Sequence, residues 1–126
     1  MVEFAILSPL IIVLLLGVLQ IGIAMQNYNA LRNATAEVAR YAMVQYATGN
    51  KLTDAQLTSY ATSVARAAPY LLTSTMAVKV DDVATPRVTG TTEKTLRVDY
   101  KIPSLLDTLG LEGPAITYSR TLILTS

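Results

Sequence analysis

Chemistry needs side chains that can move a proton, attack as a nucleophile or hold a metal, and this chain of 126 residues has few of them. It contains no His and no Cys. The commonest general base and metal ligand is therefore missing, as are thiolate nucleophiles, thiolate metal sites and disulfides. Asp and Glu number nine. Asp81 and Asp82 are adjacent, so on a strand they point to opposite faces and form no carboxylate dyad. The stretches DDVATP and GTTE lack the spacing of a calcium loop. No phosphate loop, nucleophile–base pair or stacking platform stands in the sequence, so no catalytic, cofactor or metal site is expected. The remaining carboxylate of interest is Glu3, at the lip of the apolar run in MVEFAILSPLIIVLLLGVLQIGIAMQ. Buried without a partner it is costly. At a helix N-terminus in water the dipole favours it. The chemistry on offer is ion pairing.

The element that positions Glu3 is the run itself. From Phe4 to Met25 the polar interruptions are Ser8 and Gln20, and there is no charge. About 20 apolar residues rising ~1.5 Å each span the ~30 Å of bilayer hydrocarbon. A secretory signal would carry a basic start, a shorter apolar stretch and a small-residue cleavage site; the run has nothing basic before it and continues into MQNYNALRN. A buried core helix would need cover on all faces, which a chain this short does not supply. The run predicts a membrane span, or its equivalent in a bundle of like helices. Pro9 lacks an N–H, so the helix is expected to kink there or to begin near Ser8 with Ser8 as its cap. Gly17 and Gly22 permit close backbone approach, but at five residues apart they are not a GxxxG pair.

The rest of the chain reads as a water-soluble domain, with a net charge of +1 that gives no basic field for nucleic acid. Residues 1–25 are read as the transmembrane or assembly helix and 26–126 as the domain. In YNALRNATAEVARYAMVQYAT, Tyr28, Leu31, Thr35, Val38, Tyr41, Ala42 and Gln45 recur at three- and four-residue steps. The first helix is thus expected to continue over 26–48, with Gly49 and Asn50 as its stop. Tyr28 is placed as an interface anchor, and Tyr41 and Tyr46 as packing between helix and sheet. A second helix is predicted over 54–68. Thr53 caps it in a capping box with Gln56, Leu52 and Leu57 form a staple, and Leu57, Tyr60, Ala61, Val64 and Ala68 form its stripe before Pro69.

After Pro69 the period becomes two, which predicts strands near 75–83, 94–102 and 115–125. TPRVTGTTE joins the first two, and PSLLDTLGLEGP is a loop or short helical turn before the third. On the third strand Ile116, Tyr118, Leu122 and Leu124 share a face with Arg120, which calls for a bulge or an edge position. The expected fold is α+β: a long helix, a short helix and a three-stranded antiparallel sheet whose apolar face the helices cover.

This plan resembles type IV pilin-like proteins, and the opening words resemble the TadE-like family of the tight adherence (Tad) pilus system. The family pattern is carried here by Val2, Glu3, Phe4, Ala5, Pro9, Leu16, Gly17 and Gly22. LRVDYKIPSLL and ITYSRTLILTS are similar to its weaker carboxy-terminal pattern. The resemblance implies a precursor cut by a prepilin peptidase a few residues before Glu3, though Met1 and Val2 carry no Gly that would place the cut. It implies residence in the bacterial inner membrane with the domain outside the cytoplasm, then extraction by the pilus assembly machinery into a surface pilus or its initiating complex. The partners it implies are copies of the chain in a homo-oligomeric filament, or other pilins, and adhesion follows. Glu3 would pair with the amino-terminal amine of a neighbouring subunit and so set register. Phe4, Pro9, Gly17 and Gly22 would join it on the assembly surface. The rival reading is a single-pass membrane protein whose outer domain binds a partner and never polymerises.

Overall fold

The computed structural model describes residues 2–107 and 110–125. Met1, Ser126 and the part of the expected loop at Thr108 and Leu109 lie outside the described residues. The fold is α+β: helices α1 (Val2–Ala47) and α2 (Asp54–Arg66), then strands β1 (Met76–Asp82), β2 (Thr92–Lys101) and β3 (Ala115–Leu124).

Helix α1 is one element of 46 residues with Pro9 inside it. It begins at Val2, so Ser8 is not its cap. A proline forfeits one hydrogen bond, here to the Ala5 carbonyl, and the helical residues on both sides carry the chain through it. Its end is built as expected. Gly49 adopts φ +82°, its N–H donates to Tyr46 O at 3.0 Å, and the Asn50 N–H donates to Gln45 O at 2.9 Å. This is the Schellman pattern, and it needs the left-handed conformation that glycine adopts freely.

Helix α2 carries its capping box: the Thr53 N–H donates to Gln56 Oε1 at 2.9 Å and the Gln56 N–H to Thr53 Oγ1 at 3.3 Å. It stops at Arg66, earlier than the predicted residue 68, because Ala67 is already extended at ψ 163°. The residue before a proline is barred from helical geometry, and the exit toward Pro69 takes Ala67 with it. Ala68 is accordingly exposed, while Leu57, Ala61 and Ala65 form the buried stripe.

The sheet order is β1-β2-β3, antiparallel throughout. Val98 pairs with Val78 on one side and Tyr118 on the other, and Leu96 pairs with Val80 and Arg120. The β2–β3 register is unbroken, so Arg120 sits on an edge strand without a bulge. β2 starts at Thr92, so Thr92 and Glu93 belong to the strand and not to the connection. The reason is local. Residues 83–91 fold back over the outer face, where Arg87 N donates to Glu93 Oε2 at 2.8 Å and Arg87 Nε pairs with Glu93 Oε1 at 3.3 Å.

Both helices pack on the sheet, α1 against β3 and α2 against β1. The core joins Leu31, Val38 and Ala42 of α1, Leu57 of α2, Leu72, and Leu96, Val98, Tyr100, Leu122 and Leu124 of the sheet. Ala34 and Ala39 are also buried, and Tyr28 is not: it is 43% exposed at the rim. Thr35, a weak spot in the apolar pattern, is buried with its hydroxyl donating to Leu31 O at 2.9 Å, so its polar atom is satisfied.

The β2–β3 connection is closed at its base by Ile102 N donating to Pro114 O at 3.0 Å. A Cβ on Gly113 would stand 1.9 Å from the Ile102 carbonyl oxygen. Gly113→Ala is therefore expected to cost about 1–3 kcal/mol through forced displacement of this loop. Thermal unfolding followed by tyrosine near-ultraviolet dichroism would read it as a fall of several degrees in Tm.

Candidate assembly surface

The amino-terminal half of α1 stands clear of the domain. Its most apolar 18-residue window has a mean hydropathy of 2.6 and none of it is buried. A core helix of this chain would be covered, so that reading is removed. Phe4, Ile6, Leu7, Leu10, Ile11, Ile12, Val13, Leu14, Leu15, Val18 and Leu19 are each more than half exposed. At ~25 cal/mol per Å² of apolar surface, covering side chains of this size is worth on the order of 10–20 kcal/mol in all. That matches or exceeds the whole stability of a typical domain, about 5–15 kcal/mol. A surface of this kind fits lipid or other apolar helices better than water.

Glu3 lies exposed in the first turn of α1, where the helix dipole favours a carboxylate. It takes part in none of the ion pairs among the described residues. Phe4 is 75% exposed, and Pro9 sits on the outer surface of the same half. A Cβ built on Gly17 or Gly22 meets nothing within 4 Å, so the chain's own packing does not require glycine at either position. Glu3, Phe4, Pro9 and Gly17 thus lie on the bare segment, and Gly22 lies beyond it, just past Gln20.

Sequence reasoning passed over Gln20. Its side-chain amide donates to Pro103 O at 3.2 Å, and its Oε1 accepts from Leu105 N at 3.0 Å. Both halves of the amide are thereby used, and the β2–β3 loop is tied to α1 inside the apolar run. With Ile23 and Ala24 packed against the core, contact between helix and domain begins at Gln20. The partners are 83 and 85 residues away, so no local pattern announces them.

A second feature lies higher on α1. Tyr41 stacks on Tyr60 of α2 with centroids 3.9 Å apart and planes at 22°. The Tyr70 hydroxyl donates to Glu37 Oε2 at 2.9 Å. The hydrogen bond to Glu37 is the main reason that the Tyr70 hydroxyl titrates above the ordinary tyrosine range; for Tyr60 it is burial, reinforced by Glu37. These groups, with Asn33, Ala36, Arg40 and Val44, line an open groove of about 650 Å³. Tyr46 is buried instead, donating to Leu52 O at 3.2 Å, and Tyr28 meets Tyr118 edge-on at 6.0 Å. The tyrosines serve separate contacts and do not form a continuous row. Among the described residues no three acidic side chains gather as a metal site.

Residues 1–40 match the family model described as TadE-like protein. The match covers α1 except for its last two turns, and it ends before α2 and the sheet. It falls on the same residues whose wording resembles that family. No curated protein and no solved structure matches the chain.

Proposed function

We propose that this chain is a structural pilin or pilin-like subunit that assembles through α1 into a Tad or type IV-like filament, or into its initiating complex, and so supports adhesion. The observation that carries the reading is the bare apolar half of α1 continuing without a break into the core of a folded domain. A single rigid rod can sit in the inner membrane and then exchange lipid for the same surface on neighbouring subunits. Glu3 would set the height of each subunit by pairing with a neighbour's amino-terminal amine, since a subunit at the wrong height leaves a charge unpaired. The partners are copies of the chain or other pilins, with a prepilin peptidase and the assembly machinery acting before them. The domain stands outside the cytoplasm, then on the cell surface. Neither catalysis nor nucleic-acid binding is part of the proposal.

The test is to shear cells and ask where the chain goes. Recovery in the sheared filaments supports assembly; retention of the whole pool in the membrane supports the rival, a single-pass protein whose domain binds a partner. The groove between Tyr41, Tyr60 and Tyr70 is the feature that favours that rival. A further expectation concerns the glycines. Replacing Gly17 and Gly22 together by Leu leaves the segment apolar enough to insert but adds bulk where backbones approach. Filament yield should fall severalfold while the membrane pool is unchanged, as read by blotting both fractions.

A further inference from the structure

We infer that the β2–β3 loop is a second membrane contact, placing Leu105 and Leu111 in the headgroup–acyl boundary of a phospholipid bilayer. The inference rests on the membrane-spanning reading of α1 and adds to it. Sixteen residues from Phe4 to Leu19 reach only about 24 Å at 1.5 Å per residue. Crossing the ~30 Å of hydrocarbon takes about 20 residues, which carries the apolar boundary to about Ile23. Gln20 then lies about 4–5 Å inside that boundary. The loop bonded to Gln20 is held at the same depth by the two hydrogen bonds to Pro103 and Leu105. On α1, Ile21 is 63% and Met25 64% exposed, so the helix still offers an apolar surface at this level.

The loop is built for that position. Leu105 is 45% exposed and Leu111 56%, although the domain core lies close by. The Ser104 hydroxyl and the backbone beside the two leucines bond within the loop, while Asp107 and Glu112 stay exposed and Glu112 pairs with Lys101 at 2.7 Å. Ser104 Oγ donates to Leu111 O at 2.8 Å and accepts from Leu106 N at 3.1 Å, and Leu111 N donates to Leu106 O at 3.2 Å. Backbone near hydrocarbon must satisfy its own donors and acceptors, and these bonds also hold the two leucines in place. The Gln20 amide gains by the same arrangement, because in lipid it would otherwise be an unpaired polar group. Apolar side chains carried to the acyl boundary add to binding in proportion to the area they bury.

The absence of Cys makes the test direct. The full chain is reconstituted in vesicles of phosphatidylethanolamine and phosphatidylglycerol. Single variants Leu14→Cys, Leu105→Cys, Leu111→Cys and Thr85→Cys carry an environment-sensitive fluorophore, and quenching by nitroxide-bearing lipid is measured. Thr85 lies in the β1–β2 connection, at the far end of the sheet, and reports water. Labels at Leu105 and Leu111 are expected to shift to the blue and to be quenched comparably to Leu14, with Thr85 unquenched. Adding Gln20→Leu should abolish the quenching at Leu105 and leave that at Leu14. If Leu14 is quenched while Leu105 and Leu111 behave as Thr85, the loop contact is overturned and the spanning helix stands. A blue shift without lipid quenching would mean that another copy covers the loop, and also overturns it. An unquenched Leu14 overturns the spanning helix and the inference together.

Discussion

Val98→Asp is expected to unfold the carboxy-terminal domain, whereas Arg97→Asp, one residue earlier, should leave it folded. Val98 is 2% exposed at the centre of β2, between Val78 and Tyr118. A carboxylate there has no partner, and burying it costs at least several kcal/mol. That is comparable to the whole stability of a small domain, about 5–15 kcal/mol. The Arg97 side chain is 53% exposed on the opposite face. It lies across from Lys79, which would welcome an acid, and beside Asp99, which would not. The two effects oppose each other at a solvated site, so the change should stay within ~0.5 kcal/mol. Full chain in detergent would be compared by tyrosine near-ultraviolet dichroism and by limited proteolysis. Loss of the tyrosine signal and rapid cleavage are expected for Val98→Asp alone. Equal behaviour of the two variants would contradict the register of β2.

The second large effect is expected at Lys94. Its ammonium lies 2.5 Å from Asp54 Oδ1 and 2.6 Å from Asp82 Oδ1, so it joins the first turn of α2 to the end of β1. Its side chain is 8% exposed, while Asp54 and Asp82 are 44% and 63% exposed. Burial alone would lower its pKa; the two carboxylates outweigh that and hold it above the ordinary lysine value. Either Asp54→Asn or Asp82→Asn leaves one carboxylate in place and should cost less than about 1 kcal/mol. The double variant strands a buried ammonium, and breaking a buried pair from one side costs about 3–5 kcal/mol. The double loss should therefore exceed the sum of the singles. Because the folded pKa is raised, the clamp contributes fully below the unfolded value of about 10.4 and fades as pH rises through the folded one. Urea titrations at pH 7 and above pH 11 would show the wild type approaching the double variant only at the alkaline end.

Much of this architecture was legible because its signals are local. Thr53 and Gln56 are three residues apart, so the capping box could be read before α2 was seen. Leu96, Val98 and Tyr100 alternate with Thr95, Arg97 and Asp99, which fixed the inward face of β2. One charged residue, Arg120, on an apolar face called for a bulge or an edge position, and the unbroken register leaves the edge. What escaped depends on contacts that no periodicity announces. Glu93 reads as a loop residue until the connection folds over it to reach Arg87. Tyr28 keeps the helical period but stands at the rim, its ring at a steep angle to that of Tyr118. Gln20 reads as a blemish in an apolar run, and its partners lie across the whole domain. The bare apolar surface was readable as composition; the roles proposed for Glu3, Gly17 and Gly22 lie in contacts with other subunits.

The measurement that bears most directly on assembly through α1 is the distribution of Glu3→Ala between membrane and sheared filaments. Removing the carboxylate makes the segment more apolar, so the membrane pool should equal that of the wild type. The register pair is lost, so the chain recovered in sheared filaments should fall at least tenfold, the factor for about 1.4 kcal/mol per subunit contact. Wild-type filament yield from Glu3→Ala, with the same membrane pool, would contradict the role given to Glu3 and with it the account of how this helix assembles.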